Sequence, residues 1–541
     1  MIAAGTGVIA ATATGPVRGG ARGRPEAGDG TPEQVHLTWA DDPTRTVVVS
    51  WASPGQADRP RVRIGQRVIA AAERAHTDEL TGAVTWTYHA RVDGLRPGAT
   101  YGYAVTADND ANRADPFSAT FTTAPEGRAA FRFTSFGDLT VPDPGAVETF
   151  QPLFHLLNGD LAYAALPPAV VARVWRDFGN NVQVSAASRP WMPVPGSHRP
   201  ELGSADEALA SYLTRYTLPS NEVDGFAGRW YSFRVGTALF VCLSGDDAAD
   251  RDADALAGYY GADALAGPAP LLPDPPPGGG SRSSARGYSG GAQTRWLEST
   301  LAAARGDASI DWIVVQVHQC ACSSAPGGNG SDLGVRLEWL PLFDTYEVDL
   351  VLSGHDHRYE RSFPVRGFDT WAGTDAVTGA VADTRRPHPV TTVDSGVFDT
   401  SQGTVHLVLG SGGGPADAAT AAAGAPGPGG APVARVIGRP AAPVPDPRAP
   451  GGGPQPGADA VEAATWSARR ATAAGYGIAV FDVNPGSEAG GQTSIAVWYY
   501  HAARPDPLGP APGAADDYAL FETFTLVRPR SDGRRWHPKW Q

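Results

Sequence analysis

The sequence predicts an α/β protein (α+β in some schemes), with an N-terminal β-sandwich ahead of a larger α/β domain. Three observations carry this expectation. Between residues 36 and 123 lie six short runs in which apolar and polar side chains alternate between Pro, Gly and Asp turns, the period-2 pattern of half-buried antiparallel strands. Beyond residue 128 the runs become unbroken apolar and β-branched segments, as strands buried on both faces require. Several of these end in Gly followed by Asp or His, and in open α/β sheets ligands bind in the crevice outside the carboxyl ends of the strands.

Residues 1–33 read as an N-terminal tail or a remnant export signal. Met1–Ala11 is apolar but lacks the basic beginning of such a signal, and the Arg-rich text after it has no periodicity. Residues 34–125 hold the sandwich runs His36–Trp39, Thr46–Trp51, Arg61–Ile64, Thr85–Val92, Thr100–Val105 and Phe117–Thr123. The second domain spans 128–530. Within it, Val170–Phe178 has helical spacing and suits a right-handed crossover, and Trp230–Leu243 reads as a two-stranded hairpin. Thr404–Gly410 and Tyr476–Val483 read as strands of one sheet. Two segments, near 250–290 and 416–465, are dominated by Ala, Pro and Gly and are expected to be surface insertions without elements of their own.

Composition narrows the function. The 541 residues are 42% hydrophobic and 18% charged, ordinary for a globular chain. A net charge of −14 with no Lys/Arg-rich run argues against nucleic acid as a partner. No apolar run approaches the ~20 residues of a membrane span. With only three Cys, no disulfide framework holds the fold. Cys242 reads as a small buried hydrophobe. Cys320 and Cys322 follow His318 closely enough for a thiolate ligand to be conceivable, although loop residues near the site are the plainer reading.

The stretch Val348–Arg361 organises the rest, because its apolar run stops at Gly354-His355-Asp356-His357. Alone, His-x-His is a weak metal signal, since such a pair is more often a satisfied surface pair. It gains force from four other runs with similar ends: Phe131–Asp138, Phe154–Tyr163, Trp191–His198 and Trp312–His318. The order Gly137-Asp138, Gly159-Asp160-x-x-Tyr163, Gly196-x-His198-x-x-Glu201, Val315-x-x-His318 and Gly354-His355-x-His357-x-Tyr359-Glu360-Arg361 resembles the calcineurin-like metallophosphoesterases. Within them it is most similar to the purple acid phosphatases, whose mark is the tyrosine three residues after the second Asp, here Tyr163. Val92–Tyr101 resembles the Leu-x-Pro-x-Thr-x-Tyr passage of fibronectin type III domains, a module that precedes the catalytic domain in plant-type members, and Gln293–Leu301 resembles the family's Trp-Leu helix.

The resemblance implies a four-layer αββα catalytic domain and a secreted hydrolase of small phosphate monoesters with two metal ions. It implies that Asp138, Asp160, Tyr163 and His357 hold Fe(III), and that Asp160, His318, His355 and the position of Ser197 hold Zn, Mn or Fe(II). His198 is implied as general acid. Hard phenolate and carboxylate oxygens suit a trivalent ion, whereas imidazoles suit the divalent ones. One departure stands out: the family's third block is Gly-Asn-His-Glu with the Asn as ligand, and here Ser197 replaces it. The family's further histidine pair after the Val-x-x-His block is also not found in Gln319–Ser324. A phosphodiesterase of the same fold stays open, as does a non-catalytic surface binding protein, for which Ser197 is the sequence support. His36, His89, His155, His406 and His501 fall outside the blocks and read as structural.

Overall fold

The computed structural model describes residues 30–77, 82, 84–109, 116–139, 144–161, 171–196, 210–249, 288–325, 329–376, 379–412, 432–438, 459–471, 477–502 and 518–533. The expected N-terminal β-sandwich and mixed α/β architecture are present. The N-terminal unit is two four-stranded antiparallel sheets, one ordered Glu33–Thr38, Val47–Ser53, Val84–Val92, Ala72–Thr77 and the other Arg67–Ala70, Arg61–Ile64, Thr100–Thr106, Phe117–Thr122. Inward residues of both, among them Trp51, Val62, Tyr88, Val105 and Phe121, form one buried cluster, which is why these runs alternate.

The catalytic domain is built from two seven-stranded mixed sheets. One runs Trp191–Pro193, Phe154–Leu157, Phe131–Phe136, Gly477–Asn484, Gln492–Ala502, Tyr518–Pro529, Val397–Asp399. The other runs Tyr231–Val235, Ala238–Cys242, Trp312–Gln316, Leu350–Ser353, Val405–Leu409, Tyr359–Ser362, Ser467–Arg470. The sheets face each other across an aromatic core. Phe133 of the first stacks on Phe481 at 4.4 Å and meets Phe240 of the second edge-on at 5.2 Å, contacts worth about 0.5–1.5 kcal/mol each beyond their burial. Helix Val171–Ala186 covers the outer face of the first sheet through Trp175, Phe178 and Val182. Helices Ala292–Gly306 and Leu333–Thr345 cover the outer face of the second through Leu297, Leu301, Val335 and Trp339. The layers are therefore α, β, β and α. The expected crossover helix, the Tyr231–Cys242 hairpin and the helix over 293–301 are all present.

Two expectations are corrected. Val405–Leu409 and Gly477–Asn484 do not share a sheet: the first pairs with Leu350–Ser353, the second with Phe131–Phe136. Both are buried on both sides, so their residue pattern cannot say which sheet they join. The segment near 416–465 is not free of elements either. Val433–Ile437 and Ala460–Ala463 are paired strands in a five-stranded outer sheet with Ser331–Asp332, Gly373–Asp375 and Val381–Ala382. Ala434, Val436 and Ala460 are buried there, and Glu462 forms an enclosed ion pair with Arg336 at 2.9 Å. Residues 250–287 lie outside the described residues, as do 1–29.

The sandwich grips the catalytic domain through backbone ends. The amides of Gln34 and Val35 donate to Asn180 and Gln183 of helix Val171–Ala186 at 3.0 and 2.7 Å. Thr38, Thr87, His89 and His36 contact the carbonyl oxygens of Thr217, Thr214, Thr214 and Arg215, at and beyond the end of helix Ala210–Arg215. These carbonyls have no partner within the helix, so the sandwich serves as its C-terminal cap.

Candidate metal centre

The strands ending at Phe136, Leu157 and Pro193 in the first sheet are parallel neighbours, as are those ending at Gln316 and Ser353 in the second. Their carboxyl ends therefore open onto one crevice, and the residues just beyond them meet there. Asp160, His318 and His355 each present a ligand atom, all within 4.8 Å of one another, and all three are buried. Asp160 Oδ1 lies 3.1 Å from His318 Nε2, and His318 Nε2 lies 3.1 Å from His355 Nδ1. Asp138 sits beside them, with His357 Nε2 3.5 Å from its Oδ1 and the His355 amide donating to its Oδ2 at 2.9 Å. Two imidazole nitrogens facing each other across a carboxylate suit a shared cation far better than an apolar core.

Local backbone makes this approach feasible. Asp138, Asp160 and His355 adopt left-handed φ values of 62°, 49° and 70°, rare for residues with a side chain and concentrated at functional sites. Glycines provide the room. A Cβ on Gly354 would come within 2.5 Å of both the Asn158 carbonyl and Asp138 Oδ2, and one on Gly159 would meet the His318 ring. Gly196 lies against the Asp160 amide and carboxylate.

Around these side chains, hydrogen bonds fix orientation. Nδ1 of His318 lies 2.8 Å from the Asn158 carbonyl, so it carries the proton and turns the Nε2 lone pair toward Asp160 and His355. Burial lifts the Asp138 carboxyl above the usual range. Burial alone would lower His318, but Asp160 and then Asp138 outweigh it and raise the ring to about 10. Both directions have one meaning: enclosed carboxylates draw positive charge into the crevice, which a metal ion supplies as well as a proton does. Donor types, burial, tautomer and the glycine-lined cradle all fit metal ions.

Of the residues expected from sequence, the structure brings together Asp138, Asp160, His318, His355 and His357. Tyr163, Ser197 and His198 lie outside the described residues. Cys320 donates its thiol to the Gly354 carbonyl at 3.1 Å, Cys322 belongs to an apolar cluster, and burial pushes both thiols up, so the loop reading stands. His155 is a core residue between Thr134, Phe136 and Trp191, as expected. Sequence reasoning missed two supports. Asn158, two residues before Asp160, orients His318 through its carbonyl; its place in Asn-Gly-Asp was the available signal. Asp356, between the two histidines, accepts from the amides of Asn329 and Gly330 at 2.9 and 3.0 Å.

Comparison with known proteins agrees with this arrangement. Residues 32–124 match the family model of the purple acid phosphatase N-terminal domain. An uncharacterized protein of Mycobacterium tuberculosis is 36% identical over 560 residues, covering 98% of this chain and 93% of its own. The Fe(3+)-Zn(2+) purple acid phosphatase 12 of Arabidopsis thaliana is 23% identical over 362 residues, covering 62% of this chain and 66% of its own. The solved purple acid phosphatase PPD1 of yellow lupin superposes with a TM-score of 0.57 at 17% identity, over 93% of this chain and 75% of that one. The chain belongs to the purple acid phosphatase-like metallophosphoesterases. It is a phosphoric ester hydrolase. Among the described residues, no helix is long and apolar enough to cross a membrane.

Proposed function

We propose that the protein hydrolyses small phosphate monoesters at a dinuclear metal centre of the Fe(III)–divalent type and acts outside the cell. The observation that supports this most is the convergence of two buried carboxylates, Asp138 and Asp160, with three imidazoles, His318, His355 and His357. In this reading Asp138, Asp160, Tyr163 and His357 hold one ion, and Asp160, His318, His355 and the position of Ser197 hold the other. The Fe(3+)-Zn(2+) designation of the Arabidopsis relative supports iron and zinc as the pair. Such ions, when bound, neutralise phosphoryl oxygens and activate water as the nucleophile.

The chain's own residues do the rest. Asp160, set between the two groups of donors, offsets the repulsion of two cations. Asn158 keeps His318 in one tautomer and one orientation. His198 delivers a proton to the leaving alkoxide oxygen, which lets the phosphorus–oxygen bond break without building charge on the alcohol.

The test combines metal content, a visible spectrum and paired rates on p-nitrophenyl phosphate and its bis ester. Two ions per chain are expected, with a phenolate-to-iron band that Tyr163→Phe removes and a faster rate on the monoester. A colourless protein with a full complement of iron refutes the Tyr163 assignment. Faster cleavage of the bis ester makes the protein a phosphodiesterase, and a metal-free protein without hydrolysis removes the proposal.

A further inference from the structure

The outer five-stranded sheet reaches the ligand turn by a short and continuous route. Strand Val433–Ile437, from the segment that reads as a low-complexity insertion, pairs in parallel with Ser331–Asp332, in the register Ser331 with Val436 and Asp332 with Ile437. Immediately before that pair, Asn329 and Gly330 turn their amides onto the Asp356 carboxylate, at 2.9 Å to Oδ1 and 3.0 Å to Oδ2. The Asn329 side-chain amide donates to the His355 carbonyl at 2.8 Å. Asp356 is fully buried and stands between His355 and His357, and its own amide donates back to the Gly354 carbonyl at 2.9 Å. Gly330 has a φ of 78°, and a Cβ there would lie 2.5 Å from the Arg435 carbonyl of the outer strand. The outer sheet, the Asn329–Gly330 corner and the histidine turn thus form one hydrogen-bonded unit.

We propose that the outer sheet positions the metal-binding histidines of this enzyme, with Asp356 as the positioning residue that joins the two. The inference rests on the reading of His355 and His357 as ligands. His355 holds a left-handed backbone that the chain does not adopt unaided, and three donors from the Asn329–Gly330 corner hold it there. The register of Val433–Ile437 against Ser331–Asp332 in turn fixes that corner. Strand Val433–Ile437 is by this account a support of the metal site.

Zinc titrated into metal-stripped full-length protein tests it, alongside thermal melting of the metal-free form. Asp356→Ala removes the acceptor of both amides, and Gly330→Ala forces the corner away from the outer strand. Each is expected to weaken zinc binding by about tenfold or more, as loss of an orienting partner does. Asn329→Ala, at a partly exposed position, removes a single donor and is expected to act in the same direction with less effect. If Asp356→Ala does not fold, the other two variants decide. Wild-type zinc affinity in both Gly330→Ala and Asn329→Ala overturns the proposal, as does a lower metal-free melting temperature with zinc affinity unchanged. A wild-type protein that takes up no zinc is a separate result, since it overturns the ligand reading and this proposal with it.

Discussion

Acidification should loosen the joint between the sandwich and the catalytic domain through His89. Its ring is buried, with Nδ1 2.8 Å from Ser50 Oγ and Nε2 2.9 Å from the Thr214 carbonyl. A neutral imidazole satisfies both, donating from Nε2 and accepting at Nδ1. Protonation removes that acceptor and places a cation in a dry site beside Arg74 and His36. Burial, followed by those two neighbours, pushes the ring down to about 3 from its ordinary 6.5. In the pH window between those values the unfolded chain holds a proton that the folded chain does not, so stability falls as pH falls. Half of the unfolded rings are already protonated at about pH 6.5, so from about pH 7 to about pH 4.5 the loss amounts to about 2.5 kcal/mol. Guanidinium unfolding of wild type and His89→Gln at about pH 7 and about pH 4.5, followed by tryptophan fluorescence, measures it. Glutamine can still donate to Thr214 and accept from Ser50, but it does not titrate. His406, also held down to about 3 by burial and then Arg336, titrates in both proteins and cancels in the difference. Wild type should lose about 2.5 kcal/mol more than the variant across this range. An equal pH dependence in the two would refute the reasoning.

Other outcomes can be stated briefly. Asp160→Asn should strip both ions, whereas His318→Ala should strip mainly one; metal analysis of the purified variants decides, and two ions retained in Asp160→Asn would contradict the bridging role. Gly196→Ala should abolish metal uptake with little change in far-ultraviolet circular dichroism, because the added methyl falls on the Asp160 amide and carboxylate. Glu462→Ala should destabilise the protein by about 3–5 kcal/mol, because Arg336 would be left enclosed without its partner; a loss below about 1 kcal/mol in denaturant unfolding would mean the outer sheet is loosely attached. Ser197→Asn should tighten the second ion, by up to about tenfold if ~1.4 kcal/mol of ligand energy is gained, and weaker zinc binding in the variant would show that the turn is adapted to serine.

Much of the centre was legible because its chemistry is written at strand ends. A buried strand must be apolar, so an Asp or His just past its end interrupts the pattern sharply, and Asp138, Asp160, His318, His355 and His357 all stand at such interruptions. Sheet membership was not legible for Val405–Leu409 and Gly477–Asn484, since a strand buried on both faces shows the same side chains in either sheet. The outer sheet escaped for a different reason. Over a window of fifty residues, Ala, Pro and Gly swamp the short alternations Val433-Ala434-Arg435-Val436-Ile437 and Ala460-Val461-Glu462-Ala463, which need only a few buried methyl groups to pair. Asn158 and Asp356 act through a carbonyl and a carboxylate on partners 160 and 26–27 residues away, which no local pattern encodes.

The left-handed backbones at Asp138, Asp160 and His355 make this centre visible to an experiment that never measures hydrolysis. Each such conformation costs about 1–3 kcal/mol in a residue with a side chain, and glycine adopts it freely. A library of variants selected for heat tolerance alone should therefore accumulate glycine at these three positions and fall silent as it grows hardier. The sites of convergence would trace the proposed ligands from the stability side, where the chain gives up robustness to hold them in place.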